Sequence, residues 1–301
     1  MLLQSFINPL IIFFVGLGPC SLLIWFMVSI RKRSSLRRKN PINTHLLRSP
    51  GQSLLDEMED ISIDLFSYLL VTPFISLYFY ASYLSSNKSN TLLILFGISL
   101  ILGLLFIGKK IIKLSNKREK LRLGYDAELA VGQELNLLMR NGFYVFHDVN
   151  LKNTLSEFNI DHVVVGKSGV FAVETKGRSK PVESIGKDSS KVEFDGKKLI
   201  FPQWEEDKPV EQAKRQANAL QKWLTSAVGE TITTRAVLAL PGWYTSTTKK
   251  TDVAVINGKN PEKFFNMPRD VVLSEKQIKQ IAHQLENLCR NVEPRAFTLP
   301  K

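Results

Sequence analysis

The stretch Asn159-Ile160-Asp161-His162-Val163-Val164-Val165-Gly166-Lys167-Ser168-Gly169-Val170-Phe171-Ala172-Val173-Glu174-Thr175-Lys176 decides how the second half of this 301-residue chain is read. Two runs rich in Val and Ile flank Gly166-Lys167-Ser168-Gly169, a tight-hairpin signal. A loop at Lys167-Ser168 sets Asp161 opposite Glu174 and Asn159 opposite Lys176. Strand side chains alternate faces, so these four share one face, with directly opposed β-carbons about 4.5–5.5 Å apart. Like charges so placed repel. Both faces are otherwise apolar, Val163 and Val165 beside Asp161 and Ile160 and Val164 on the reverse, which predicts a sheet covered on both sides.

Two neighbouring, partly buried carboxylates need a compensating cation. A divalent ion supplies one, with Lys176 as a further positive charge, and oxygen-only ligands select Mg²⁺ or Mn²⁺. A plain Asp–Lys or Glu–Lys pair at the sheet edge is the competing reading. Glu128 tips the balance towards a metal. It falls in helical register with Val131, Leu135 and Leu138, the stripe that faces the sheet, and so aims a third acid at the same core.

Outward from the hairpin, the spacing predicts a helix over 125–140 stopped by Asn141-Gly142, and a strand over 143–149. A second hairpin turns at Asp195-Gly196 between 192–194 and 199–201. Pro209 opens a helix running to about 226, followed by a strand over 233–240. A short strand at 253–256 and a helix over 274–290, opened by a Ser274/Gln277 capping box, complete the chain. Helix, three strands, helix, strand is an α/β layer arrangement around one mixed sheet.

Several segments in this order resemble the nuclease-related domain, NERD: Gly124-Tyr125-Asp126-Ala127-Glu128, Asp148-Val149, Ile160-Asp161-His162-Val163-Val164-Val165, Gly169-Val170-Phe171, Val173-Glu174-Thr175-Lys176 and Pro209-Val210-Glu211-Gln212-Ala213. NERD is similar to the PD-(D/E)xK nucleases. The resemblance implies a restriction-endonuclease-like αβββαβ domain at 123–245 with a mixed central sheet, and leaves 246–301 as a strand-and-helix extension. It implies catalytic roles for Glu128, Asp161, Glu174, Lys176 and Gln212. Asp161 and Glu174 hold Mg²⁺ (or Mn²⁺), Glu128 helps hold it, Lys176 orients or deprotonates the attacking water, and Gln212 hydrogen-bonds near the scissile phosphate. Gln216, one turn on, is an alternative to Gln212. Position 160 is Ile where the wider superfamily has Pro.

The first 122 residues read as a membrane anchor. Uncharged runs cover 6–30, 65–84 and 91–108, each near the ~20 residues that cross a bilayer as a helix. Pro73 interrupts the second, and 85–90 reads as the turn of a helical hairpin. Positive charge follows the first run instead of preceding it, which predicts an anchor and not a cleaved signal. Basic residues cluster at 31–48 and 109–122, so three spans put the N-terminus outside and everything after residue 109 in the cytoplasm, at a bacterial inner membrane.

These clusters also explain the charge. Of the net +12, residues 1–122 contribute 15 Lys/Arg against 6 Asp/Glu. The near-balanced remainder makes basicity weak evidence for nucleic-acid binding. Cys20 and Cys289 match no metal or redox spacing, nor do His45, His147, His162 and His283. His162 points away from Asp161 by alternation and packs on the other face. Arg178, Lys214, Arg215, Trp204, Trp223 and Trp243 divide between nucleic-acid contacts and ordinary surface or core roles. Asn87-Lys88-Ser89 is a sequon with meaning only in a secretory host.

The expectation is a membrane-anchored, cytoplasm-facing, metal-dependent nuclease acting on DNA, with RNA as the alternative substrate. The competing reading is a non-catalytic nucleic-acid-binding or protein-interaction module on the same fold. A transport role is disfavoured because the spans hold no charge.

Overall fold

The computed structural model describes residues 11, 18–19, 22–30, 32–33, 38, 40–85, 90–151, 159–181, 187–249, 251–269 and 272–296. Much of the first apolar run, residues 86–89 of the link and most of the loop expected at 150–157 lie outside the described residues. The chain divides into two compact units. One comprises Met1–Asn43, Glu57–Lys120 and Pro294–Lys301; the other comprises Thr44–Asp56 and Leu121–Glu293. Residues 44–56 pack with the second unit.

In the first unit residues 22–30 are helical. Helix α1, Gln52–Ser85, begins in the second unit and carries Pro73 inside it. Against the three spans expected, one helix among the described residues, Gln52–Leu84, is long and apolar enough to cross a membrane by length and composition. The hydroxyls of Ser67, Thr72 and Ser76 donate to the carbonyl four residues back, so these polar side chains are satisfied within the helix. Helix α2 is a single run, Asn90–Asn136, that joins the third apolar stretch to the expected helix at 125. The reason is compositional: apart from Ser115 and Asn116, 109–123 is Lys, Arg, Leu, Ile and Glu, with no Gly or Pro to stop it.

The second unit is built on a five-stranded mixed sheet. Its strands are β2 (Tyr144–Asn150), β3 (Asn159–Gly166), β4 (Gly169–Thr175), β8 (Thr234–Ala239) and β10 (Val253–Ile256), in the order β10-β8-β4-β3-β2. β2, β3 and β4 pair antiparallel, while β4, β8 and β10 run parallel. Every residue of β4 is buried, as expected for strands apolar on both faces.

Strand β1 (Leu46–Leu47) pairs with β11 (Arg290–Val292). The hairpin at Asp195-Gly196 forms as β5 (Lys191–Phe194) and β6 (Leu199–Ile200), with Gly196 at φ +100°. A second sheet grows from it in the order β7-β6-β5-β9, adding β7 (Glu205–Glu206) and β9 (Tyr244–Thr247). Those two short strands carry no periodicity long enough to read from sequence.

Helix α3, Lys208–Val228, buries Val210, Ala213, Ala217, Leu220 and Leu224 against Val163, Val165, Val170 and Ala172 of the sheet. The other face is covered by α2, whose Val131 and Leu135, with Leu138 of the 3-10 turn Leu137–Asn141 that follows, pack with Val164, Phe171 and Val173. A short helix α4, Glu262–Phe265, adds Phe265 to that side. Helix α5, Glu275–Cys289, starts at the expected Ser274/Gln277 capping box and joins the α3 side of the core.

Candidate active site

The register of β3 and β4 is the one expected from the hairpin: His162 faces Val173, Val165 faces Val170 and Gly166 faces Gly169. Asp161 and Glu174 therefore sit side by side at the open end of these strands. There Asp161 Oδ2 accepts the backbone N–H of Thr175 at 2.6 Å. Lys176 Nζ lies 2.5 Å from Glu174 Oε1, and its backbone N–H donates to the Ala239 carbonyl at 2.9 Å, tying the motif to β8.

By alternation the two acids belong to the sheet face covered by α3. Glu128 arrives from the opposite side. It stands one turn before Val131 on α2, buried and near enough to Asp148, Glu174 and Lys176 for their charges to act on it. Gly177 sets this approach. A β-carbon there would lie 2.7 Å from the Leu123 carbonyl oxygen and 3.0 Å from the Ala127 β-carbon. Gly177→Ala is expected to lever apart α2 and the end of β4 at a cost of about 1–3 kcal/mol, read as a lower Tm in thermal unfolding.

The acids are 8 % (Glu128), 7 % (Asp161) and 1 % (Glu174) exposed, so water screens none of them well. Burial, reinforced by the Asp148 and Glu174 charges and offset by Lys176, pushes the Glu128 carboxyl up to about 8. Burial also holds Asp161 well above the usual carboxylate range, with the Glu174 and Glu128 charges adding to it.

Acceptors without donors gather around these acids. Glu174 Oε2, Asn159 Oδ1 and Gln216 Oε1 are buried without a hydrogen-bond partner. Gln216 is buried in the α3 stripe and donates to the Asn159 carbonyl at 2.7 Å. Gln212 lies off that stripe and is half-buried. The Gln216 side chain thus meets the strand that carries Asp161.

Asp148 is the residue that sequence reasoning missed as part of the site. It is fully buried at φ +50° between His147 and Val149 of β2. Its carboxylate accepts from Arg48 Nε at 2.7 Å, Ser53 N–H at 2.9 Å, Ser53 Oγ at 2.8 Å and Asn159 Nδ2. With both oxygens so engaged, Asp148 adds its charge to the burial that raises Glu128 and is not a free ligand. A charged residue within an apolar strand was a signal; its partner 100 positions earlier was not.

His162 lies on the face away from Asp161. Its Nδ1 is 2.9 Å from that of His147, whose Nε2 meets Asn136 Oδ1 at 2.9 Å. Burial lowers the basicity of both rings, His147 to about 4. The Arg178 guanidinium grips Glu206 through two 2.8 Å bonds. Trp204 stacks on Phe201, and Trp243 is buried and donates to the Arg178 carbonyl at 3.1 Å. Trp223 packs against the core. The tryptophans are therefore committed to packing.

Among the described residues no group of three or more His, Cys, Asp or Glu side chains is placed to hold a metal ion. Asp161 and Glu174, the latter with its Oε2 unpartnered, fit a smaller arrangement, that of a hard cation held by one or two acids and completed by water or phosphate oxygens. No curated protein and no solved structure matches this chain. Residues 123–241 match the family described as NERD, nuclease-related domain.

Proposed function

We propose that the domain hydrolyses phosphodiester bonds of DNA, or of RNA, with Mg²⁺ or Mn²⁺, and that the protein is tethered at the cytoplasmic face of a membrane. The chemistry is supported by three buried acids, Glu128, Asp161 and Glu174, close enough for their charges to act on one another, with Lys176 paired to Glu174 and Glu174 Oε2 without a donor among the described residues. A fold has little reason to bury mutually repelling carboxylates unless a cation joins them.

Asp161 and Glu174 would hold the ion, with Glu128 behind them; bound there, it would supply charge for a phosphoryl oxygen and acidify water. Lys176, partly exposed and paired with Glu174, orients the incoming water and balances charge on the phosphoryl oxygens, and the proton that the water gives up ends on the departing sugar oxygen. One P–O bond forms to water and one breaks to the sugar oxygen, which departs as a hydroxyl. Gln212 or Gln216 on α3 faces the phosphate side of the group.

Tethering is supported by the apolar helix Gln52–Leu84, by the exposed Phe66, Leu69, Ile101, Leu102 and Phe106, and by the basic flanks. Residues 31–39 and 109–122 would then face anionic head groups.

The test is cleavage of labelled oligonucleotides by the full chain with and without Mg²⁺ or Mn²⁺, across pH. Glu128 is raised, so its neutral form dominates below about 8, whereas a bound cation needs it charged. The rate is expected to climb with pH and level off earlier as metal concentration rises, because cation and proton compete for Glu128, and Glu128→Gln to remove that upper limb. Absence of metal-dependent cleavage on single strands, duplexes and RNA alike sinks the proposal.

A further inference from the structure

A cavity of about 360 Å³, lined among others by Tyr244, Asn257, Lys259, Asn260, Lys263 and Phe264, lies outside the acid cluster and has no role in the chemistry above. Its position is fixed by backbone contacts. β4, β8 and β10 run parallel, with Thr175 beside Ala239 and Ala239 beside Ile256, so all three end at one level. Lys176 N–H continues that level to the Ala239 carbonyl, and Leu240 N–H to the Ile256 carbonyl. The cavity walls are the segments that leave β8 and β10 just past this line.

Two further contacts bind the walls to the site. Trp243, next to Tyr244, donates to the carbonyl of Arg178, two residues after Lys176. Gly258, at φ +81°, lies so close to α2 that a β-carbon would stand 3.0 Å from Val131 Cγ2, one turn from Glu128. The cavity is therefore about two strand spacings, roughly 10 Å, from Glu174 along the carboxyl ends of the strands. Open α/β sheets bind ligands along that edge.

We infer that this cavity is a subsite for one unpaired nucleotide of a nucleic-acid strand whose scissile phosphate lies at Asp161 and Glu174. Tyr244 is 65 % exposed and offers a ring face on which a base stacks. The Asn257 and Asn260 amides lie where a base edge would meet them, although Asn257 Oδ1 already accepts the Lys259 N–H at 2.9 Å. Lys259 and Lys263 are exposed and supply the cations for the flanking phosphate. A base free of its partner can lie on the Tyr244 ring with its edge in the cavity, which a base still paired and stacked in a duplex cannot, so the subsite selects single strands or frayed ends over intact duplex.

This rests on the nuclease reading above, and the experiment separates the two. Fluorescence anisotropy of a labelled oligo-dT is measured on the full chain in detergent micelles with EDTA, beside metal-dependent cleavage of the same strand. Tyr244→Ala is expected to weaken single-strand binding about 5- to 100-fold while Tyr244→Phe stays near the parent. Lys259→Ala with Lys263→Ala is expected to flatten the salt dependence by roughly one unit of slope. Tyr244 is exposed, so its removal leaves the fold intact, which a thermal melt verifies. Unchanged binding by Tyr244→Ala, with cleavage preserved, overturns the subsite and spares the nuclease. A parent chain that neither binds nor cuts any nucleic acid overturns both.

Discussion

Titrating the full chain with Mg²⁺ or Mn²⁺ in a calorimeter is expected to give saturable binding that Asp161→Asn and Glu174→Gln each weaken by more than about 100-fold. Loss of an outer partner of a metal ligand typically costs 10- to 100-fold, so loss of a ligand should cost at least as much. The substitutions keep shape and remove charge. Asn at 161 still offers an oxygen to the Thr175 N–H, the 2.6 Å bond that closes this end of the ladder. The same variants separate loss of a ligand from loss of the fold. Without a cation Asp161 is desolvated and repelled by Glu174 and Glu128, which is why its carboxyl is held high.

The sign follows from linkage. A carboxyl raised in the folded state binds its proton more tightly there than in the unfolded chain. Folding stability therefore declines as pH rises from the unfolded value towards the folded one. At neutral pH and in EDTA, Asp161→Asn is expected to raise Tm while abolishing the rise that Mg²⁺ gives the parent. A variant with lower Tm and intact cation binding would remove Asp161 from the site.

Breaking the Arg48–Asp148 pair is expected to have the largest effect on stability. Asp148→Ala or Arg48→Ala should cost about 3–5 kcal/mol, because either leaves a buried charge without its partner. The Arg48 and Asp148 side chains are 13 % and 0 % exposed, with Nη2 and Oδ2 2.5 Å apart. Over a unit of this size that is a fall in Tm of roughly 6–20 °C. Asp148→Asn should cost less than Asp148→Ala, since Asn keeps acceptors for Ser53 and tolerates φ +50°, where Ala is strained. A double change, Arg48→Met with Asp148→Leu, should lose less than the single changes together. Additive losses in that cycle would show the pair to be uncoupled. Because the Asp148 charge helps raise Glu128, Asp148→Asn is also expected to move the upper limb of the pH–rate profile downward.

Most of the domain's elements were legible because period and punctuation are local properties. The hairpin loop Lys167-Ser168 sets the β3–β4 register, and from it the juxtaposition of Asp161, Glu174 and Lys176 follows without any tertiary information. The Ser274/Gln277 box and the Asp195-Gly196 turn are likewise contained in a few residues. Helix α2 read as two pieces because the change from apolar to charged looks like a boundary, yet backbone hydrogen bonding is indifferent to it.

What the chain alone determined is which side chains carry charge inside an apolar sheet, and on which face of their strands they fall. What only the tertiary structure decided is how distant pieces meet. Glu128 comes from the helix on the reverse face and is buried near enough to Glu174 for their charges to act on one another. Gln216 occupies the buried stripe that Gln212 misses. Arg48 neutralises Asp148 across 100 residues of sequence. Alternation and helical spacing fix directions within one element, but the meeting of two elements depends on packing between surfaces that no single segment encodes.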